Sequence, residues 1–478
     1  MRAAALLSLL LLLSCSGGEE ADGPIDFGDR RPVILISIDS LRADFTSPYG
    51  HVPRFAPNEV TTPFLNRMAA EGVVFERASA ASSWTLPSHM SMLTGMNPLE
   101  HAIRSRKWSL NPDVGLVSNK FQRAGYATGG VFSAPFLHPV WGFHRGFDMY
   151  VPGPAYLGTL EAAEALAANR KSDTVTELHD TSHTDNRTAE PVIDKALAWL
   201  EEDRRYAEPF FLFLHLWDPH YDYFPPEDYR ARFVPEDDGN VVGDELMKPD
   251  RVPGPEEMEV LKALYEAEIR YTDDQIARLW EQLEAWGIAD AVIIAVTSDH
   301  GDEFLEHGDR GHHHTLYEEV IHVPLVLRAP GIAPAGVRVG GTVSNIDLAP
   351  TLLDLAGLEP WPNRSGSSLA PLWTEDLDRQ VYLDLVRPAK DLELRGYRFG
   401  PAKGILDAER QMFRVYDLAQ DPGELVPRSS DLANKADAFA VEALEFLLRS
   451  QSVRHKPGKV AETPAMTGLL SELGYTED

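Results

Sequence analysis

The chain has 478 residues, 44% of them hydrophobic and 25% charged, which is enough apolar material for a large folded domain and a smaller one. It carries 44 Lys and Arg against 74 Asp and Glu, a formal net charge of −30 at pH 7. This acidity disfavours nucleic acid as a partner and concentrates cations near the protein. Nothing in these bulk properties indicates an oligomeric state.

The first residues have the features of an export signal. One positive charge at Arg2 precedes an apolar run over 3–13 that is too short to span a membrane, and small residues follow. The tetrad LLSC at 12–15 is similar to the bacterial lipobox, in which the cysteine becomes the lipidated first residue. We therefore predict a signal peptide over 1–14, a lipid anchor on Cys15 and a flexible tether over 15–31. The alternative is an ordinary cleaved signal with an incidental cysteine.

This interpretation makes the protein an exported lipoprotein, periplasmic or at the cell surface, with the membrane as a partner. Cys15 is the only cysteine of the chain, so no internal disulfide can form.

Strand-like and helix-like patterns alternate after the tether. Apolar runs typical of buried strands lie at 33–38, 127–132, 210–214, 291–296 and 323–327. Helical patterns lie at 63–70, 192–200 and 276–286. The alternation predicts a doubly wound α/β sandwich around a central, mostly parallel sheet. The stretches 155–185 and 225–254 lack such patterns and are interpreted as insertions or surface loops.

The pattern changes beyond about Trp373. Short strands are predicted at 381–385 and 413–418, and a helix at 438–448. We therefore predict a catalytic domain over 32–373 and a small C-terminal α+β subdomain with a tail over 374–478.

Polar side chains follow three of the predicted strands. Asp39 comes after the first, His215 after the run at 210–214, and the pair Asp299 and His300 after the run at 291–296. In an open α/β sheet, ligands bind beyond the carboxyl ends of the strands. We expect these side chains to lie close together there.

A family resemblance is carried by the segment SSWTLPSHMSMLTG at 82–95. It resembles the active-site signature of sulfatases, in the alkaline phosphatase superfamily, which reads Cys or Ser, any residue, Pro, any residue, Arg, before a helix ending in Thr-Gly. Thr85 stands at the nucleophile position and His89 at the Arg position. The resemblance runs from Pro32 to about Glu424 and includes the C-terminal pattern YDL…DPGE at 416–424. It implies an alkaline-phosphatase-like fold.

The resemblance also implies a metal site. The motif IDSLRAD at 38–44 is similar to the first sulfatase metal motif, and SDHG at 298–301 to the second. Asp39, Asp299 and His300 would then bind a divalent cation together with the Thr85 oxygen. Calcium is the usual sulfatase metal, whereas an imidazole ligand favours Zn²⁺ or Mn²⁺, so the metal stays open. The following Asp302 and Glu303 are interpreted as an acidic turn.

Two histidine clusters complete the implied site. The segment HLWDPH at 215–220 resembles the sulfatase segment whose histidines bind the anionic substrate and protonate the leaving group. On that basis His220 is predicted as the general acid and His215 as an anion contact. Either could instead be structural.

In the second cluster, the family's sulfate-binding Lys position falls on His313. We predict catalytic roles for His313 and His314 and substrate binding for His312 and His89. The choice among the three adjacent histidines stays open.

Thr85 decides the predicted chemistry. Oxidation of threonine gives a ketone rather than the formylglycine aldehyde of sulfatases, and the chain has no second cysteine to convert, so no formylglycine is expected. Pro87 and Gly95 place Thr85 at the amino end of a helix, where an anion is favoured. A cation on its oxygen would make an alkoxide nucleophile.

We therefore predict an exported, metal-dependent hydrolase of anionic esters, namely sulfate, phosphate or phosphonate, with metal-bound Thr85 as nucleophile. Phosphoryl chemistry is favoured because a sulfo-threonine lacks the second hydroxyl that expels sulfate. The alternatives are a phosphotransferase of the phosphoethanolamine-transferase type, and a weakly active sulfatase-like lipoprotein that binds anionic glycans or lipids.

Overall fold

The computed structural model describes residues 25–153, 188–221, 223–239, 241, 243, 251–375, 377–427, 445 and 455–460. The signal peptide, Cys15 and the predicted insertion at 155–185 lie outside the described residues. The predicted helix at 438–448 lies outside them as well, apart from residue 445.

The described strands and α-helices are interspersed along the first 355 residues. In chain order the strands are β1 Val33–Ile38, β2 Val73–Ser79, β3 Trp108–Ser109, β4 Ala127–Phe132, β5 Met149–Pro152, β6 Phe210–Leu216, β7 Ile293–Ser298, β8 Glu303–Phe304, β9 Arg310–Gly311, β10 Leu325–Arg328, β11 Val337–Ser344, β12 Val381–Arg387, β13 Leu392–Phe399, β14 Ala402–Asp407, β15 Met412–Asp417 and β16 Gly458–Lys459. The α-helices are α1 Pro63–Glu71, α2 Thr85–Thr94, α3 Pro98–His101, α4 Val117–Arg123, α5 Ala189–Glu201, α6 Glu227–Phe233, α7 Pro255–Ala285, α8 Glu318–Ile321 and α9 Leu348–Leu355.

Eight strands form the central sheet in the order β11-β2-β10-β7-β1-β6-β4-β5. Neighbouring strands are parallel except for β10, which runs antiparallel to both β2 and β7. The sheet is therefore mostly parallel, as predicted. Strands β1, β6 and β7 lie at its centre and are buried along their whole length.

The two faces of the sheet build two hydrophobic cores. Side chains of a strand alternate between faces, so Val33 and Leu35 of β1 enter one core while Ile34 and Ile36 enter the other. Helices α2, α4 and α9 cover the first face, and α1, α5 and α7 cover the second. This is the layer arrangement of a doubly wound α/β fold.

Several boundaries differ from the sequence prediction. The helical pattern at 276–286 is the second half of α7, which begins at Pro255 after Gly254 and runs for 31 residues. The stretch 225–254, predicted as a loop, contains α6, whose Phe233 is buried. This helix is short and buries one aromatic ring, so its sequence lacks the repeated apolar residues at helical spacing that would have predicted a helix.

The C-terminal strands form a separate antiparallel sheet in the order β12-β13-β14-β15. A buried ion network fastens it to the larger part of the chain: Lys403 Nζ on β14 lies 3.0 Å from Glu318 Oε1 of α8 and 2.9 Å from Glu424 Oε1. The Glu of the DPGE pattern therefore links the subdomain to the helix that follows the histidine cluster. None of the described helices combines the length and the apolar character that crossing a membrane requires.

Candidate active site

The carboxyl ends of the three central strands bring the predicted residues together. Ile38, the last residue of β1, is in register with Leu216 of β6 and Ser298 of β7. Asp39 and Asp299 follow directly, and His215 lies one position before the end of β6. All three side chains are fully buried. The expectation that they meet at one edge of the sheet is confirmed.

Asp39, Asp299 and His300 form a cluster that can hold a metal ion. One ligand atom from each lies within 4.8 Å of the others. His300 Nε2 is 3.6 Å from Asp39 Oδ1, 3.3 Å from Asp299 Oδ2 and 3.3 Å from Thr85 Oγ1. Such separations are those of neighbouring ligands around one cation.

Two details test whether these residues fit a cation. Asp299 Oδ2 is buried and has no hydrogen-bond partner in the described structure. His300 Nδ1 donates to the Gly301 carbonyl at 3.1 Å, which leaves the lone pair on Nε2, the atom that faces the carboxylates. A metal-binding histidine needs that tautomer. The residues present therefore fit a divalent cation, with an imidazole among the donors.

The electrostatics of the cluster are unfavourable without a cation. Burial raises the pKa of Asp39 well above its usual range, and the charge of Asp302 adds to the effect. Burial and the charge of Asp39 do the same to the pKa of Asp299. Burial also lowers the pKa of His300, so its imidazole is neutral. Two buried carboxylates and a neutral imidazole match the preference of a divalent ion.

Thr85 is the first residue of α2, as predicted from Pro87 and Gly95. Trp84 before it is extended and gives no side-chain cap, so the first amides of the helix have no side-chain partner at the cap. Gly95 ends the helix in the left-handed conformation, with φ of 69°. Thr85 Oγ1 thus lies at a helix amino end and beside the cation cluster at once.

His89 lies against the cation cluster, with its Nδ1 3.4 Å from Asp299 Oδ2. Its Nδ1 donates to the Thr85 carbonyl at 2.9 Å, and its Nε2 accepts from Ser37 Oγ at 2.9 Å. The ring is fully buried, and burial lowers its pKa well below the usual range. With both nitrogens engaged, the geometry favours a structural role, and substrate binding by His89 stays a prediction.

His215 contacts a carboxylate of the cluster. Its Nε2 donates to Asp39 Oδ2 at 3.1 Å, and its Nδ1 accepts from the amides of Ser133 and Ala134, each at 3.4 Å. Burial lowers its pKa to about 3. This neutral ring orients Asp39. The predicted anion contact is not visible in the geometry and stays a prediction.

His220 lies in an aromatic cluster after the Asp218-Pro219 turn. Its ring packs against Trp217 at 4.0 Å and Tyr221 at 4.1 Å between centroids. Nδ1 donates to the Tyr221 carbonyl at 2.6 Å, and burial lowers the pKa to about 3. The ring is thus neutral, with the lone pair on Nε2. Its predicted role as general acid is not tested by this arrangement.

The three adjacent histidines have different surroundings. His312 Nδ1 donates to Asp302 Oδ1 at 2.7 Å, and its ring lies 4.1 Å from that of His300. His314 Nε2 donates to Glu303 Oε2 at 2.8 Å. Burial by itself lowers the pKa of His314, but the hydrogen bond to Glu303 raises it, and the net pKa is above the usual value. His312 therefore reaches the cation cluster, whereas His314 is turned towards Glu303.

His313 is the member with an unused polar atom. The residue is only 6% exposed, and its Nε2 is buried without a hydrogen-bond partner in the described structure. The ring stacks on Trp84 at 4.4 Å, next to Thr85, and the backbone is held at φ of 66°. An unpartnered imidazole nitrogen beside the nucleophile position is suited to contact an anion.

Sequence reasoning missed Asp302, Glu303 and Tyr223 as contributors to the site. Asp302 and Glu303, interpreted as an acidic turn, are buried at 0% and 1% exposure. Asp302 accepts from His312 and from Tyr223 Oη at 2.5 Å. Asp302 and His312 are ten residues apart, and this spacing matches no characteristic motif, so the sequence contains no usable signal for their contact. Tyr223 carried no signal.

Comparisons with known proteins identify the family of this chain. A family model described as Sulfatase matches residues 31–358, and one described as N-sulphoglucosamine sulphohydrolase, C-terminal, matches residues 306–438. Arylsulfatase K of Homo sapiens is 25% identical over 488 residues, covering 92% of this chain and 84% of that protein. A sulfatase of Formosa agariphila is 24% identical over 481 residues, covering 92% of this chain and 90% of that protein.

A solved structure gives the same fold. The phosphonate monoester hydrolase of Agrobacterium radiobacter superposes with a TM-score of 0.70 at 22% identity, covering 88% of this chain and 96% of that chain. Its low identity supports the architecture alone. Because the sulfatase model spans well over half of the sequence, this chain belongs to the sulfatase family and is a sulfatase-like ester hydrolase.

Proposed function

We propose that this protein is a metal-dependent hydrolase of anionic esters in which Thr85 is the nucleophile, with phosphate or phosphonate esters favoured over sulfate esters. The observation that carries the proposal is the position of Thr85 Oγ1, 3.3 Å from His300 Nε2 and at the amino end of α2. The similarity to a phosphonate monoester hydrolase supports phosphoryl chemistry on this fold.

Asp39, Asp299 and His300 would hold the cation. When bound, a divalent cation lowers the pKa of a hydroxyl ligand and offsets negative charge on the substrate. The donor set includes an imidazole, which favours Zn²⁺ or Mn²⁺, while Ca²⁺ is the alternative. His215 orients Asp39 through the bond from Nε2.

The anionic ester oxygens would lie against the amino end of α2 and against His313. The first amides of a helix and its dipole favour an anion. His313 Nε2 is buried and unpartnered beside Trp84, so an oxygen atom of the substrate would satisfy it. Both elements flank Thr85.

The reaction would then proceed in two displacements. Thr85 Oγ1 forms a bond to phosphorus, and the ester oxygen leaves as the alcohol with the proton that Thr85 gives up. Water then attacks phosphorus and breaks its bond to Oγ1. This step restores the Thr85 hydroxyl and releases inorganic phosphate from a phosphate ester or a phosphonic acid from a phosphonate ester. Phosphorus is favoured over sulfur because threonine has no second hydroxyl on the same carbon to expel sulfate.

The test is a hydrolysis panel of phosphate monoester, phosphate diester, phosphonate and aryl sulfate substrates. We expect Thr85→Ala to lose about 10³-fold or more in turnover and Thr85→Ser to retain part of it. Thr94→Ser is a matched control on the same helix, where the hydroxyl donates to the Met90 carbonyl. Turnover that survives Thr85→Ala would refute the proposal.

We further propose export and attachment to a membrane through lipidated Cys15, on the lipobox-like sequence at 12–15. Fractionation of cells tests this directly. The wild-type protein is expected in the membrane fraction, and Cys15→Ala is expected in a soluble fraction. An unchanged distribution would contradict the lipid anchor.

A further inference from the structure

The C-terminal sheet places one basic side chain against the histidine cluster. Arg387 is the last residue of β12, and its Nη1 donates to the carbonyl of His313 at 3.1 Å. The ring of His313 stacks on Trp84, next to Thr85, and its Nε2 has no hydrogen-bond partner in the described structure. The guanidinium of Arg387 therefore lies against the segment that flanks the nucleophile position.

This guanidinium has hydrogen-bonding capacity that the described part of the protein does not use. The Nε of Arg387 is buried without a hydrogen-bond partner there, and the side chain pairs with none of the described carboxylates. Two other arginines of the same sheet are paired. Arg395 lies 2.7 Å from Glu393, and Arg398 lies 3.0 Å from Glu318. Because the chain has 74 acidic residues against 44 basic ones, a half-buried guanidinium without a carboxylate is suited to an anionic ligand.

The imidazoles around the nucleophile position bring hydrogen bonds but no free positive charge. Burial, and next the charge of Arg387, lower the pKa of His313 well below its usual range, so this ring is neutral. Both nitrogens of His89 already have partners. His314 directs its Nε2 to Glu303. Among these groups, Arg387 is the one that carries a permanent positive charge without a carboxylate beside it.

We propose that Arg387 binds an anionic oxygen of the substrate beside His313, so that the C-terminal sheet completes the anion site. The inference rests on the proposed function for the ester, and it adds the charge of the preferred substrate. A guanidinium presents its N–H groups in a fork that matches phosphate oxygens. A phosphate monoester carries close to two negative charges above its second pKa of about 6, whereas a phosphate diester carries one. We therefore expect phosphate monoesters to depend on Arg387 more than diesters do.

A purely structural role makes a different prediction. The bond from Nη1 would then serve only to hold the backbone of His313, which has a left-handed φ of 66°. Arg387→Gln can keep an N–H for this carbonyl but has no charge, whereas Arg387→Lys keeps the charge without the fork. Anion binding predicts that Arg387→Lys retains more affinity for phosphate than Arg387→Gln. A structural role predicts equal affinities or the reverse order.

The experiment is a calorimetric titration of the manganese-loaded, full-length protein with inorganic phosphate, together with kcat and KM for a phosphate monoester and a phosphate diester. Arg387→Gln is expected to raise the phosphate Kd about tenfold or more, because a charged hydrogen bond is lost. Arg387→Lys should raise the Kd less. In Arg387→Gln the KM of the monoester should rise more than the KM of the diester.

Arg410→Gln is the matched control. This guanidinium is exposed in the turn between β14 and β15 of the same sheet and pairs with Asp407 at 2.8 Å, so its loss should leave the phosphate Kd unchanged. A melting curve of each variant verifies folding. If Arg387→Gln does not fold, the titration of Arg387→Lys decides alone, since a raised Kd supports the bond to phosphate and an unchanged Kd contradicts it.

The same measurements separate this inference from the proposed function. If Arg387→Gln binds phosphate as wild type does while Thr85-dependent hydrolysis is intact, the inference is wrong and the proposed function stands. Turnover that survives Thr85→Ala would refute the proposed function, and the phosphate titration would still decide the role of Arg387.

Discussion

Substitution of His215 separates two roles for this residue, anion contact and support of a metal ligand. In the structure its Nε2 donates to Asp39 Oδ2 at 3.1 Å, and its Nδ1 is occupied by backbone amides. We therefore expect His215→Leu to weaken cation binding. His215→Gln can retain an N–H directed at Asp39 and should weaken it less.

The size of the effect follows from this one hydrogen bond. A hydrogen bond to an ionised carboxylate is worth about 1.5–3 kcal/mol, and each 1.4 kcal/mol is about tenfold in affinity. Loss of the bond to Asp39 should raise the cation Kd by about 10–100-fold, the range found for other groups that orient metal ligands. The buried volume of His215 adds a separate loss of stability.

The assay is calorimetric titration of chelator-treated protein with zinc or manganese, together with kcat and KM on the substrate that turns over best. His101→Leu is the matched control: it removes another fully buried imidazole, bonded to Ser91, and should lower the melting temperature without changing the cation Kd. A cation Kd unchanged in His215→Leu, with a rise in KM, would refute this role and restore the anion contact.

Three further predictions concern stability. Chelation should lower the melting temperature, since an ion that binds only the folded chain at a hundredfold excess over its Kd adds about 2.7 kcal/mol; an unchanged melting temperature would contradict the cation cluster. Burial lowers the pKa of His215 and His220 to about 3 in the folded chain. Between that value and the ordinary histidine pKa, these two residues bind more protons in the unfolded chain than in the folded chain. The contribution of these two histidines to the free energy of unfolding should therefore fall as the pH drops from about 6.5 towards about 3, although the raised pKa values of buried carboxylates such as Asp39 and Asp299 act in the opposite direction. A variant that lacks both imidazoles should lose less stability than wild type over that range, and thermal melts in which it loses as much would be contrary to this account. Lys403→Met leaves Glu424 without its buried cation, while Glu318 keeps Arg398 at 3.0 Å, and should cost about 3–5 kcal/mol in chemical denaturation. A loss below about 1 kcal/mol would show that the network is not needed.

Much of the fold could be predicted from local patterns. The run at 127–132 coincides with β4, and the runs at 33–38 and 210–214 lie within β1 and β6, because buried parallel strands have continuous apolar sequences. Strands β13 and β14 were missed since their sequences mix charged and apolar residues without strict alternation. The antiparallel direction of β10 depends on packing, which the apolar run at 323–327 does not encode.

The candidate site, like the fold, could be predicted only in part. Asp39, Asp299 and His300 could be located from motifs at strand ends, because the sheet edge brings such positions together. The separate surroundings of His312, His313 and His314 could not, since three identical residues in sequence have no pattern that tells which ring faces Thr85. The burial of Asp302 depends on contacts with Tyr223, about eighty residues away in the chain.

The central claim is that Thr85 forms a covalent bond to the substrate. The most direct measurement is intact-mass analysis of protein quenched during turnover of a phosphate monoester, followed by peptide mapping. We expect a transient phosphate adduct on Thr85 that is absent from Thr85→Ala. A phosphate adduct on another residue, or full turnover by Thr85→Ala, would contradict the mechanism.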